Sequence, residues 1–171
     1  MKIVTGLADR LLFAAGLLLF LQIPQFIDHY TQRYAGYRQA LADSVQQYQA
    51  SADVHYDGDL QLMIHEFETA TAPAMRDMGR KMDGERMRLD EMTAGLATLR
   101  SGSLPARIAQ VARGYDSPLL HATFDDFKPG LPLTVDAAIC GLAGGILASA
   151  LFNLLIWPLR RLLDRRPLLR V

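Results

Sequence analysis

Cysteine is nearly absent from this chain of 171 residues: Cys140 is the only one. A lone cysteine closes no intramolecular disulfide and supplies no two-cysteine metal site. Its simplest role is that of a small residue at a helix contact. Net charge is also lacking, with 18 basic against 18 acidic residues. Nothing therefore draws the chain as a whole toward nucleic acid. Motifs of catalysis are missing as well. There is no nucleophile elbow, no phosphate-binding glycine loop and no dinucleotide fingerprint. The segment His65-Glu66-Phe67-Glu68-Thr69 lacks the second histidine of a zinc-protease helix. His29 and His121 stand alone. These absences lead us to expect no catalytic residues, no cofactor and no enzyme.

Long apolar runs are present. Residues 137–159, AAICGLAGGILASALFNLLIWPL, carry no charge and are long enough as a helix to cross about 30 Å of hydrocarbon. Residues 11–27, LLFAAGLLLFLQIPQFI, are also uncharged and span about 26 Å as helix, at the short end for a crossing. A cleaved signal should show a small-x-small site after its apolar run. This run ends instead in Gln22-Ile23-Pro24-Gln25, so an uncleaved first span is expected, ended or kinked at Pro24. Asp9 and Arg10 form its charged edge, and no ionisable residue is expected deep in either span.

The expected organisation is an N-terminal tail and first span over 1–27, a helical domain over 28–132, a second span over 133–159 and a basic tail over 160–171. Residues 158–171 hold five arginines, among them Arg160, Arg161, Arg165 and Arg166, against one aspartate. The positive-inside rule places that tail in the cytoplasm, and Lys2 and Arg10 agree for the N-terminus. The middle then lies outside. The fold class expected is all-α: two transmembrane helices and an extracytoplasmic domain of amphipathic helices.

Within the middle, Phe26, Tyr30, Tyr34, Tyr37, Leu41, Val45, Tyr48 and Ala52 recur at steps of three and four, one face of a helix. Asp57-Gly58-Asp59 reads as a turn, with Asp59 capping a helix over 60–70. Thr71 is a candidate cap for the next helix, which has Pro73 in its first turn. That helix carries a two-helix seam: Met75, Met78, Met82, Glu85, Leu89, Met92, Leu96 and Leu99. Asp77 with Lys81, Lys81 with Glu85 and Arg86 with Asp90 mark its wet side. Its natural partner is the tyrosine-striped helix, packed antiparallel within the chain or between chains. Ser103 is expected to cap a piece over 104–113 that buries Leu104, Ile108 and Val111. Ser117 and Pro118 start another, with Leu119, Leu120, Phe124 and Phe127 on its apolar side, and Thr134 caps the second span.

In the second span Ala137, Gly141, Gly145, Ser149 and Asn153 share one face at four-residue steps. Such a small-residue stripe lets backbones approach, and Asn153 adds a hydrogen-bonding group. It reads as a helix–helix contact with the first span or with another copy. The cluster His55, Asp57, Asp59, His65 and Glu66 invites a metal reading, as do the thioethers of Met75, Met78 and Met82 for Cu(I). A polar turn and an apolar seam explain them more simply.

The stretches QIPQFIDHYTQRYAGYRQAL after the first span and HATFDDFKPGLPLT before the second resemble the two best-marked stretches of a family of bacterial membrane proteins, the domain-of-unknown-function family 2937. Tyr34-Ala35-Gly36 stands where the family pattern has a paired glycine. The resemblance implies the same two-span layout in a bacterial inner membrane and carries over no activity and no catalytic residues. The function expected is that of a non-enzymatic interaction protein in contact with membrane lipid, associating with itself or with another inner-membrane protein. A small oligomeric pore lined by Gln22, Ser149 and Asn153, or a periplasmic metal handler, are the alternatives. With both termini in the cytoplasm, a C-terminally fused phosphatase that folds only outside should be inactive, whereas the same enzyme inserted at Gly58 should be active.

Overall fold

The computed structural model describes residues 2–114 and 117–164, with side chains over 4–114 and 117–158. Six helices follow in order: α1 (Lys2–His55), α2 (Leu60–Thr69), α3 (Pro73–Ser101), α4 (Leu104–Arg113), α5 (Pro118–Asp125) and α6 (Val135–Asp164). No strand occurs among the described residues. Two helices, one near the N-terminus and one covering Val135–Pro158, are long and apolar enough to cross a membrane. The chain divides into two compact units, one of residues 1–28 with 127–171 and one of residues 29–126.

The first departure from expectation is at Pro24. Helix α1 does not end there but runs unbroken for 54 residues, about 80 Å at 1.5 Å per residue. An interior proline costs a helix about 3 kcal/mol through its missing N–H and its ring. Pro24 is fully buried, and that packing offsets part of the cost. In the same way α6 passes through Pro158 to Asp164, beyond the expected end at residue 159. Arg160 and Arg161 therefore belong to the helix. Arg165 and Arg166 lie outside the described residues.

In the unit of residues 1–28 and 127–171, the first part of α1 runs antiparallel to α6. A Cβ on Gly16 would lie 2.6 Å from the Ala148 Cβ and from the Gly144 carbonyl oxygen. A Cβ on Gly145 would meet the Phe13 ring at 2.8 Å, and one on Gly141 would meet Leu21 at 2.9 Å. Gly144 abuts the Phe20 side chain. These contacts step down α1 as they step up α6. Near residue 130 the same unit is tied by glutamine. The Gln22 amide donates to the Gly130 carbonyl (3.1 Å) and accepts from the Gly130 N–H (3.2 Å). Gln25 accepts from the same N–H at 3.1 Å and donates to the Lys128 carbonyl at 3.1 Å. Phe26 and Phe127 stack edge to face at 5.4 Å. Thr134 caps α6, its hydroxyl accepting from the Ala137 N–H at 3.2 Å.

The unit of residues 29–126 is built on the rest of α1, with α3 antiparallel to it. One core gathers Tyr30, Tyr34 and Leu41 with Met92, Leu96 and Leu99. A second gathers Ala52, Met63, Ile64 and Met82. Tyr48 donates to Glu85 at 3.0 Å, and Arg38 to Thr93 at 3.2 Å, in the same register. The turn after α1 places Asp57 and Gly58 at φ 51° and 84°, which aspartate tolerates and glycine adopts freely. Asp59 then caps α2, accepting from Leu62 N–H at 2.9 Å.

Several expectations on this unit are corrected. Thr71 does not cap α3; Ala72 occupies that position without a side-chain bond. The turn is held instead by Arg76, which donates to the carbonyls of Ala70 (2.9 Å) and Thr71 (2.8 Å). Ser103 sits at the start of α4 without a capping bond, whereas Ser117 caps α5, accepting from Leu120 N–H at 3.2 Å. Arg80 and Arg86 pair with Asp77 and Asp83, three residues back, rather than in the four-residue pairings of Asp77 with Lys81 and Arg86 with Asp90. Ile108 and Phe124 are exposed, because α4 and α5 turn other residues, Val111, Leu119 and Leu120, toward the tyrosine core.

If the contact between α1 and α6 depends on absent side chains, Gly144→Leu forces Phe20 aside. It should destabilise that unit by about 1–3 kcal/mol. Gly6→Leu, where a Cβ meets nothing within 4 Å, should not. Thermal unfolding of the two variants in a neutral detergent checks this.

Candidate functional site

The small-residue face of α6 lies within its own unit. Gly141 and Gly145 are covered by Leu17, Leu21 and Phe13 of α1, and Ala137 is completely buried. At the end of the stripe Ser149 donates to Asp9 at 2.6 Å and Asn153 to the same Asp9 oxygen at 2.9 Å. Asp9 is thus not merely a charged edge: it accepts two hydrogen bonds from the opposite helix. The sequence held a signal for this, since Ser149 and Asn153 continue the glycine stripe. Reading it required knowing that α1 runs antiparallel to α6. The three polar residues expected to line a pore, Gln22, Ser149 and Asn153, are all hydrogen-bonded within the chain.

The seam of the helical unit is only partly closed. Met82 and Met92 are buried and Leu89 is half-buried, whereas Met75 and Met78 are 42% and 37% exposed. The reason is length. Ala52 packs with Met82, and α1 ends three residues later, so no α1 surface remains to cover the first turns of α3. Val54 and Leu62, from the end of α1 and from α2, are also exposed. Val54, Leu62, Met75 and Met78 are thus four exposed apolar residues of this unit. His55, Asp57, Asp59, His65 and Glu66 do not gather: among the described residues no three His, Cys, Asp or Glu side chains come together where they could share a metal ion.

The tyrosine stripe leads to a cleft of about 1060 Å³ in this unit, on the scale of small-ligand sites. Tyr30, Tyr34 and Tyr37 of α1 line it with Met87, Arg88 and Met92 of α3 and with Gln110 and Arg113 of α4. Tyr30 and Tyr34 are buried with their rings 5.7 Å apart. Their hydroxyls lie against two glycines. A Cβ on Gly114 would be 2.8 Å from the Tyr30 hydroxyl, and one on Gly95 would collide with the Tyr34 hydroxyl and lie 2.8 Å from the Gln110 amide.

Burial pushes both phenols above their ordinary pKa. Tyr34 adds to the rise at Tyr30, which a hydrogen bond with Ser117 opposes. Glu91 adds to it at Tyr34, opposed by a bond with Gln110 and by Arg88. Both hydroxyls are therefore protonated at neutral pH. Tyr37 is corrected from a buried seam residue to a 40% exposed one. It stands at the wall of the cleft with the Arg88 guanidinium 5.6 Å from its ring centre, a cation–π arrangement.

Among the described residues, three arginines, Arg33, Arg88 and Arg113, line the cleft with one carboxylate, Glu91. Arg33 is paired with Asp126. Arg88 and Arg113 have no salt bridge among the described residues; Arg113 donates to the Gln110 side-chain amide oxygen at 3.4 Å. The sequence reading missed these arginines because they lie on α1, α3 and α4, between 25 and 80 residues apart in sequence. Only the fold brings them to one cavity.

Two cleft glycines behave unlike Gly95. At Gly36 and Gly84, both inside helices, an added Cβ meets nothing within 4 Å. Glycine in a helix interior costs about 0.5–1 kcal/mol relative to alanine. Gly36→Ala and Gly84→Ala should each stabilise the protein by about that amount, while Gly95→Ala should destabilise it by about 1–3 kcal/mol through the displaced Tyr34 hydroxyl. Denaturant titration followed by circular dichroism checks the two signs together.

Comparison with known proteins gives a family and no activity. No curated protein and no solved structure matches the chain. A family model described as a protein of unknown function (DUF2937) matches residues 4–165. Nearly the whole length is covered, both apolar helices and the helical unit included, and the chain therefore belongs to the DUF2937 family.

Proposed function

We propose that the protein is a non-enzymatic accessory subunit of a bacterial inner-membrane complex, held by α1 and α6 and presenting its helical unit outside the cytoplasm. One observation carries this reading. Val54, Leu62, Met75 and Met78 are apolar residues of the helical unit left exposed, whereas the small-residue face of α6 is already filled by α1. In lipid, helices associate through such close-packing faces. With Gly141 and Gly145 covered, association through that face by a second copy would first have to displace α1. Methionines at an exposed surface suit a partner, because their flexible thioethers adapt to an uneven apolar counterface. Arg160 and Arg161 at the end of α6, with Arg165 and Arg166 beyond it in the sequence, support the orientation, both termini in the cytoplasm.

The pore and the metal-handling readings gain no support from the geometry. Their polar groups are spent on hydrogen bonds within the chain or stand apart from one another.

Gentle extraction from the native membrane, followed by mass measurement of the intact assembly, tests the proposal. The expected result is a second protein at fixed ratio that is released by Met75→Glu with Met78→Glu. A lone monomer, or a companion indifferent to that pair of substitutions, would overturn it. The variants' circular dichroism should match the parent, since both residues are already exposed.

A further inference from the structure

The cleft in the unit of residues 29–126 combines three features that bear on what it could hold. The first is charge. The unit holds fourteen acids and ten bases, and among the described residues the cleft lining holds three arginines and one glutamate. A low-dielectric wall concentrates the field of such charges on the cavity. With Arg33 paired to Asp126, Arg88 and Arg113 remain as guanidinium forks, suited to a phosphate or carboxylate.

The second feature is apolar surface. Tyr30, Tyr34, Met92, Leu119 and Ala122 line the same cavity, and ring faces and thioethers accommodate a chain or a ring without demanding hydrogen bonds. The third is space. Gly36 and Gly84 both border the cleft and have open volume where a Cβ would stand. Helix stability favours alanine at both positions, and no neighbour in the protein requires glycine there. That is the pattern expected where an occupant takes up the room.

We propose that this cleft binds an amphiphile with a single anionic head, a phosphate or a carboxylate held by Arg88 and Arg113, and an apolar body laid along Tyr30, Tyr34 and Met92. The class covers both acidic lipids and free acids with an apolar tail. The inference does not rest on the accessory-subunit reading, because Val54, Leu62, Met75 and Met78 do not line the cleft.

The test uses the full chain in a neutral maltoside detergent, with native mass spectrometry as the readout and dodecyl phosphate as the probe. Dodecyltrimethylammonium and inorganic phosphate serve as comparisons. The expected result is one dodecyl phosphate per chain. Affinity should fall at least tenfold in Arg88→Glu with Arg113→Glu, and in Gly84→Leu, which fills the cavity. It should not change in Met75→Glu. Inorganic phosphate should bind at least tenfold more weakly than dodecyl phosphate, and the cationic probe should show no saturable binding.

Equal binding of the cationic probe would overturn the role of the arginines. Equal binding of inorganic phosphate would overturn the role of the apolar wall. Binding indifferent to Gly84→Leu and to the arginine pair would overturn the site. Because Gly84 lies on an open wall, that variant keeps its fold, which circular dichroism verifies. A second arm distinguishes the source of the ligand: phosphatidylglycerol added in the same detergent displaces the probe if the cleft accepts a two-chain lipid, whereas dodecanoate alone does so if it accepts only single-chain acids. Displacement by neither would overturn the ligand class.

Discussion

The structure depends on α1 being one helix. Its residues belong to both units, and its two parts meet different demands. Over its first part, side chains must avoid water and backbones may come close, and α1 presents Gly16 to Gly144 and Ala148 of α6. Beyond the apolar run the same helix must bury apolar surface from water, and it presents tyrosines, Leu41 and Ala52 to the cores shared with α3 and α2. Continuity through Pro24 is what links the two. Had the helix stopped there, the tyrosine stripe would have needed a separate nucleus, and short isolated helices are marginal in water.

Side-chain absence shapes this protein as much as side-chain contact. In one unit glycines on α6 admit Phe13, Phe20 and Leu21. In the other Gly95 and Gly114 admit the hydroxyl ends of Tyr34 and Tyr30, so a phenol can be buried whole and still find Gln110 or Ser117 as a hydrogen-bond partner. A buried hydroxyl without a partner would be costly. At Gly36 and Gly84 the space is left empty, and there the cleft opens. The same residue type thus has opposite meanings, and only its neighbours tell them apart.

Much of the fold could be read from residue order. Asp59, Ser117 and Thr134 were legible as caps because a cap acts over three residues. Thr71 failed because Arg76, five residues on, supplies the long side chain that closes that turn. The antiparallel pairing of the tyrosine and methionine stripes was legible because both repeat with helical period. Its limit was not, because where a seam stops covering its residues depends on where the partner helix ends. Met75 and Met78 are exposed for that reason alone.

By itself the sequence determined the fold class, the two apolar helices and the faces that must be covered, because periodicity, capping and apolar run length are local properties of the chain. It also marked Gly141, Gly145, Ser149 and Asn153 as one face. Tertiary structure alone decided which helix fills that face, that Asp9 receives Ser149 and Asn153, and that Arg88 and Arg113 share a cavity with three tyrosines. Each of these joins residues far apart in the chain. Such pairings are set by how whole helices pack, and no local spacing records them.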